Sequence, residues 1–379
     1  MSILLENAYI AVMSDVFFTT MRGGSRLSIL DKLRKLLIAA GIDDIDFKEK
    51  FVAIKVHFGE HGNVAYIRHD YSKVIIDVVK ERGGKPFLTD CSTLYSGRRQ
   101  NAPFHLDLAQ EHGFTPLSIG CNIIIGDGLK GNDEVIVNID GEYVKEAKIG
   151  HAIFSSDVLI AVSHFKCHDI TGFGGALKNV GMGCASKRGK MEMHSAGKPE
   201  IEHADCTNCG SCSKVCSHSA IIKEKGKTHI MKSECTGCGR CVCVCPNNCI
   251  IVKLDRANDI TCRMISEYAA AAVKDKECFF VNFVMDVSPQ CDCWEGNDTP
   301  VVKDIGIFAS FDPVALDAAC ADAVNREPAL KGSALDDTVH KPGESDISML
   351  IHPRSGWRLC IEQAVLMKMG DKRYKLIEV

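Results

Sequence analysis

The chain has no long hydrophobic run, no excess of either charge and no low-complexity tract. No apolar stretch approaches the ~18 residues that a membrane span needs, so no membrane span is expected. Lys and Arg total 45 against 49 Asp and Glu, a net charge of −4. That leaves no global basic field of the kind that nucleic acid attracts, and no nucleic-acid partner is expected. The opening residues MSILLENAYIAVMSD lack both a basic start and a long apolar core, which argues against a signal peptide. What is present is size and sulfur. A chain of 379 residues, 46% hydrophobic, has enough for one large domain or two ordinary ones. Twenty cysteines without a secretory context indicate a reducing, cytoplasmic location.

Eight of those cysteines fall in one stretch. Cys206, Cys209, Cys212 and Cys216 have the spacing C-x2-C-x2-C-x3-C, and Cys235, Cys238, Cys241 and Cys245 repeat it, followed by Pro246. This doubled run is the bacterial two-cluster ferredoxin pattern, in which three cysteines of a run hold one 4Fe–4S cube and the fourth reaches the other. Cys206, Cys209, Cys212 and Cys245 are therefore expected on one cluster, and Cys235, Cys238, Cys241 and Cys216 on the other. Zinc ribbons fit less well, since they use two separated pairs rather than evenly spaced triplets. A disulfide framework lacks its oxidising compartment. Ser217 follows Cys216 where many such ferredoxins have proline, which loosens the first turn but removes no ligand. Cys243 and Cys249 are read as small packing residues.

Around this stretch the sequence alternates strand and helix signals. Residues 26–40 carry Leu27, Leu30, Leu33 and Leu37 at helical spacing and stop at Gly41. Strands are predicted over 51–58, 85–90, 121–127, 157–165, 277–287 and 301–310, and helices over 71–84, 261–273, 312–324 and 357–369. Asp312 and Pro313 form a helix start. Continuous apolar strands between helices indicate an α/β fold, a mainly parallel sheet with helices on both faces. The expected organisation is a discontinuous α/β domain of residues 1–202 and 253–379, interrupted by a ferredoxin-like two-cluster insert at 203–252.

Ligands of such sheets sit beyond the carboxyl ends of the strands, and those ends carry an unusual set. The 51–58 strand ends in Lys55 and His57. The 157–165 strand is expected to run on through His164, Lys166 and His168, which period two places on one face. TGFGGALKNVGMG follows at 171–183. There Gly172, Gly174 and Gly175 are expected to free backbone amides for an anion, with Lys178 adding charge and Asn179 beside it. His194, further on, is a further candidate for this site. Cys291-Asp292-Cys293 offers a metal or redox pair, but a C-x-C spacing suits a strained chelate poorly, and two ordinary thiols are the preferred reading.

The runs KVHFGEHGN (55–63), SHFKCHDITGFGGALKNVGMG (163–183), GKMEMHS (189–195), the 282–293 segment ending in CDC, and DIGIFASFDPVALDAA (304–319) resemble the Fe–S centre proteins built on domain of unknown function 362. The resemblance covers almost the whole chain and implies electron transfer of an anaerobic type. Cys167 stands where that family is expected to have glycine. His168 with GFGGALK is also similar to a loop of the nickel-pincer lactate racemases, in which the lysine holds an organometallic cofactor. Gly172, Phe173, Gly175 and Lys178 carry that likeness.

Together these features point to an iron–sulfur oxidoreductase relaying single electrons through two 4Fe–4S clusters, between a soluble redox partner and a site on the α/β domain. Lys55, Lys166 and Lys178 would hold an anionic small molecule. His57, His164 and His168 would donate protons or bind a further metal. One alternative is a pure ferredoxin-type carrier with structural histidines. The other is a cofactor-binding protein or isomerase with its ligand at Lys178.

Overall fold

The computed structural model describes residues 13–25, 27–195, 198–235, 237, 239–253 and 256–379. Its centre is an eight-stranded sheet in the order Tyr374–Glu378, Ser14–Thr20, Gly306–Ser310, Glu277–Val284, Val158–His164, Phe51–Val56, Lys85–Asp90, Asn122–Ile125. Only Gly306–Ser310 runs against the rest. The sheet is thus mainly parallel, and it is built from segments on both sides of the cysteine-rich stretch.

The near-continuous apolar sequence of the central strands has a direct cause, because both faces are covered. Val52, Ile54, Val158, Ile160, Val162, Phe279 and Val281 enter one core with the helices Ile29–Ala39 and His69–Glu81. Ala53, Leu159, Ala161 and Phe280 enter the other, beneath Ala176–Gly181, Asn258–Val273, Pro313–Arg326 and Trp357–Leu366. Alternation along each strand sends successive side chains to opposite faces. Ser28 caps the first helix in a capping box with Asp31. Asp312 caps Pro313–Arg326 by accepting from Val314 N at 2.8 Å and Ala315 N at 2.9 Å. No helix among the described residues is long and apolar enough to cross a membrane.

One strand expectation fails at a useful place. The 157–165 strand does not continue to His168. It ends at His164, and Lys166–His168 folds into a separate antiparallel hairpin with Gly172–Gly174. Phe165 breaks the run because its ring turns into the core against Phe173, with ring centroids 5.1 Å apart.

Residues 200–251 form their own small structure. Glu200–Ile201 pairs with Ile250–Ile251, so the segment leaves and returns at one point. Its two halves repeat one backbone pattern. Left-handed Gly210 and Gly239 precede the short helices Ser211–Val215 and Arg240–Val244, and Asn208 and Gly237 are left-handed at matching positions. A separate hydrophobic cluster of Cys212, Ile221, Cys241, Cys249 and Ile250 holds the halves together.

Candidate functional site

Two cavities lie in this segment. The first, about 330 Å³, is lined by Cys206, Cys209, Cys212 and Cys245, with Cys249 also on its wall. The second, about 340 Å³, is lined by Cys216, Cys235 and Cys241. Cys238 lies outside the described residues. The first cavity thus draws three cysteines from one run and its fourth from the other, and the second draws Cys235 and Cys241 from one run and Cys216 from the other. Cys249 packs in the segment's hydrophobic cluster, with its Sγ 3.4 Å from that of Cys245. Cys243 is buried and its thiol is pushed up to about 11 by that burial.

A different group forms on the sheet. The chain runs from Phe51–Val56 through Lys85–Asp90 to Asn122–Ile125. It then returns to Val158–His164 on the other flank of Phe51–Val56 and continues to Glu277–Val284. At such a reversal the connections diverge and leave a crevice beyond the strand ends. Lys55, His57 and His164 stand at the ends of the two strands that border it.

Lys55 is spent internally. It is 1% exposed, its Nζ lies 2.9 Å from Asp90 Oδ1, and it donates to Asn179 Oδ1 at 2.7 Å. Burial pushes the Asp90 carboxyl up, but Lys55, His105, His57 and Arg99 outweigh it and hold the group well below the usual carboxylate range. Asn179 donates to Val162 O at 3.1 Å and to Ser163 Oγ at 3.0 Å, so it pins Ala176–Gly181 across both strands. Lys55 and Asn179 therefore organise the crevice, where the sequence suggested that they would grip a ligand.

The three histidines differ. His57 accepts from Gly59 N at 3.0 Å, and its other nitrogen lies 2.8 Å from Arg99 Nη1. Burial first, and Arg99 next, push it well below the ordinary imidazole range. Both ring nitrogens of His164 face acceptors, Asp292 Oδ1 at 2.9 Å and Met285 O at 2.7 Å. Lys166 stands 3.3 Å from the other Asp292 oxygen. Burial raises Asp292, but His164 and Lys166 hold it well below the usual range. His168 accepts from Ile170 N at 3.1 Å and Thr171 N at 3.2 Å through Nδ1, which leaves its other nitrogen for the crevice.

That nitrogen faces the pair read from sequence as ordinary thiols. Lys178 Nζ donates to Cys291 Sγ at 3.2 Å. Within the pair, a hydrogen bond from Cys293 holds the Cys291 thiol well below its ordinary range against the effect of burial, with Lys178, Lys166 and His168 assisting. Cys293 is raised and keeps the shared proton. His194 joins the group. Its ring is pushed down to about 4 by burial and by neighbouring His168 and Lys178. Ligand atoms of His168, Cys291 and Cys293 lie within 4.8 Å of one another, a group that could hold a metal ion. Cys167, in contrast, is buried in the core with its thiol pushed up to about 12.

Beyond the glycine stretch, two backbone amides are engaged within the chain. Gly172–Gly174 is a hairpin strand, and the amides that open the following helix are already taken. Ala176 N donates to Asp317 Oδ1 at 2.7 Å and Leu177 N to Asp317 Oδ2 at 2.9 Å. Gly175 is needed because a Cβ there would sit 2.3 Å from Asp317 Oδ1. Beside Lys178 lies an apolar cavity of about 280 Å³ walled by Phe165, Phe173, Leu177, Trp357 and Ile361.

Sequence reasoning thus placed Lys166, His168 and Lys178 near one another and missed Cys291, Asp292, Arg99 and Asp317. The CDC triplet after the 277–284 strand was the available signal for the first two. Nothing local marks Arg99, which reaches the site from a loop and links Glu60, Tyr95 and His57.

The domain of unknown function DUF362 matches residues 52–322. The chain belongs to this family. No curated protein matches it. Among solved structures, the lactate racemase apoprotein from Thermoanaerobacterium thermosaccharolyticum is similar at 12% identity and a TM-score of 0.43, over 73% of this chain and 51% of that one. A protein from Thermotoga maritima is similar at 14% identity and a TM-score of 0.42, over 80% and 60%. The chain spans between half and 60% of the length of these two structures.

Proposed function

We propose that this DUF362 member is a cytoplasmic iron–sulfur oxidoreductase. In this reading single electrons pass from a soluble carrier, through two 4Fe–4S clusters in an insert at 203–252, to the crevice around Lys178 and Cys291. The insert would interrupt an α/β domain made of 1–202 and 253–379. The observation that carries the reading is the composition of the two cavities. Cys245 lines the cavity of the first run and Cys216 that of the second, the exchange that a two-cluster ferredoxin requires. Cys206, Cys209, Cys212 and Cys245 would hold one cluster, and Cys235, Cys238, Cys241 and Cys216 the other. The clusters supply one-electron storage when bound.

The chain's own residues supply the connection. Gly239 lines the second cavity, and a Cβ on it would lie 2.9 Å from Met191 Sδ on the helix Lys187–His194. His194, three residues on and so ~4.5 Å further along the axis, sits beside His168 and Lys178. That helix gives a short route from the second cysteine cavity to the crevice, with a non-bonded step at each end. In the crevice, Lys166 and Lys178 supply positive charge for an anionic ligand, and His168, whose second nitrogen faces the crevice, supplies a proton. A pure carrier would need none of these buried groups. The apolar cavity beside Lys178 keeps a second reading in view, a bound organic cofactor whose polar end meets that lysine.

Electron paramagnetic resonance of the dithionite-reduced protein tests the assignment. Cys216→Ala should alter the signal of the cluster on Cys235, Cys238 and Cys241, and Cys245→Ala that on Cys206, Cys209 and Cys212. Damage confined to the substituted run's own cluster would overturn it.

A further inference from the structure

His168, Cys291 and Cys293 lie outside the cysteine-rich segment, and the fold gives no packing reason for gathering them. Their ligand atoms lie within 4.8 Å of one another, His168 and Cys291 are buried, and Cys293 is half-buried. We infer that these three residues hold a single thiophilic divalent metal ion, in a three-ligand site whose fourth position opens beside Lys178.

The donor set selects the class of ion. Two sulfurs and one imidazole suit zinc, or a first-row ion of similar softness, and exclude the oxygen-seeking calcium and magnesium. At metal–sulfur distances of ~2.3 Å and metal–nitrogen distances of ~2.1 Å, tetrahedral ligand atoms stand roughly 3.5 Å apart. Atoms within 4.8 Å of one another therefore have to close by at most roughly 1.3 Å to grip an ion. Cys293 lies in the loop beyond the Glu277–Val284 strand and can make that movement, since it is only half-buried.

The surroundings fit as well. Asp169 Oδ1 lies 3.2 Å from His168 Nδ1. A ring that binds metal through one nitrogen must carry its proton on the other, and a carboxylate there fixes that tautomer. Metal binding through the other nitrogen puts the proton on Nδ1, so the Ile170 and Thr171 amides that it now accepts from must turn away as it donates to Asp169. Two thiolates balance a divalent ion, so the Lys178 ammonium, 3.2 Å from Cys291 Sγ, is left to attract an anion to the open position. Three protein ligands with one position free is the arrangement of a metal that acts on a ligand, not of one that only braces a fold. The ligand it fits is a small carboxylate or phosphate ester.

The site stands apart from the proposed clusters, and its test separates the two. Full-length protein is purified anaerobically, equilibrated with zinc ion and analysed for zinc, iron and sulfide. Wild type should bind one zinc per chain more than the Cys291→Ser/Cys293→Ser variant and the His168→Ala variant, with iron and sulfide equal in all three. Because the result is a difference between proteins, it holds whichever metal fills the 203–252 segment. Asp169→Asn, which removes no ligand, should weaken zinc binding roughly 10–100-fold and keep the far-ultraviolet circular dichroism of wild type. Equal zinc in wild type and the variants overturns the inference. So does full zinc affinity in Asp169→Asn together with full zinc content in His168→Ala.

Discussion

Replacing Lys55 by methionine isolates the interaction that shapes the crevice. Lys55 and Asp90 are 1% and 3% exposed, and their charged atoms are 2.9 Å apart. At that separation and an effective dielectric of about 20, the attraction is ~6 kcal/mol before desolvation. Removing one member of a buried pair leaves the other uncompensated, at about 3–5 kcal/mol. Asp90 would keep the Cys91 amide at 2.9 Å, His105 at 3.6 Å and Arg99 at 3.8 Å. The expected loss is therefore near the lower end, about 3 kcal/mol. Lys55→Met/Asp90→Asn should lose at least ~2 kcal/mol less than the sum of the single changes, because neither charge is then stranded. Anaerobic urea denaturation followed by circular dichroism measures all four proteins. The sign with pH also follows. Asp90 is held below its unfolded value, so its contribution is present above about pH 4 and is lost as pH falls below that. Lys55→Met should lose less stability on acidification than wild type. A Lys55→Met protein within 0.5 kcal/mol of wild type, or strictly additive changes, would refute the reasoning.

Asp317 should act in the opposite direction on pH. Burial raises its carboxyl to about 6, although the Leu177 and Ala176 amides and Asn282 favour the charged form. Ionising it then destabilises the fold, so stability falls as pH rises from about 4 to about 6, by about 3 kcal/mol in total. Asp317→Asn should remove that slope from a plot of melting temperature against pH. Gly181→Ala should lose at least ~2 kcal/mol in urea denaturation, since a Cβ there would stand 2.0 Å from Ile265 O, a backbone atom of a packed helix. Glu267 is buried and accepts from Glu142 N and Val144 N at 2.7 Å and from Gln363 Nε2 at 2.8 Å. Glu267→Ala should lower stability by about 3 kcal/mol or more, with faster amide exchange at 142–144.

How much of this was legible follows from where the signals lie. The central strands could be read because burial on two faces makes them continuously apolar, and Lys85–Asp90 falls where its sequence suggests. Ser14–Thr20 and Tyr374–Glu378 could not be read in this way. They lie at or next to the sheet edge, where one face is partly exposed and the pattern is mixed. The cysteine runs could be seen because their spacing is local. The crevice was half-legible. His168 and Lys178 follow a strand end and could be placed, but their partners Cys291, Arg99 and Asp317 come from distant segments, and only the fold brings them together. Just past the glycine stretch, the amides of Ala176 and Leu177 meet the chain's own Asp317, a partner that lies 140 residues away in sequence and that no local signal announces.

The most direct measurement of the central claim is the iron and acid-labile sulfide content of anaerobically purified protein. The account predicts about eight of each per chain, with a broad visible absorption that bleaches on reduction with dithionite. Two zinc ions per chain and no sulfide would contradict it.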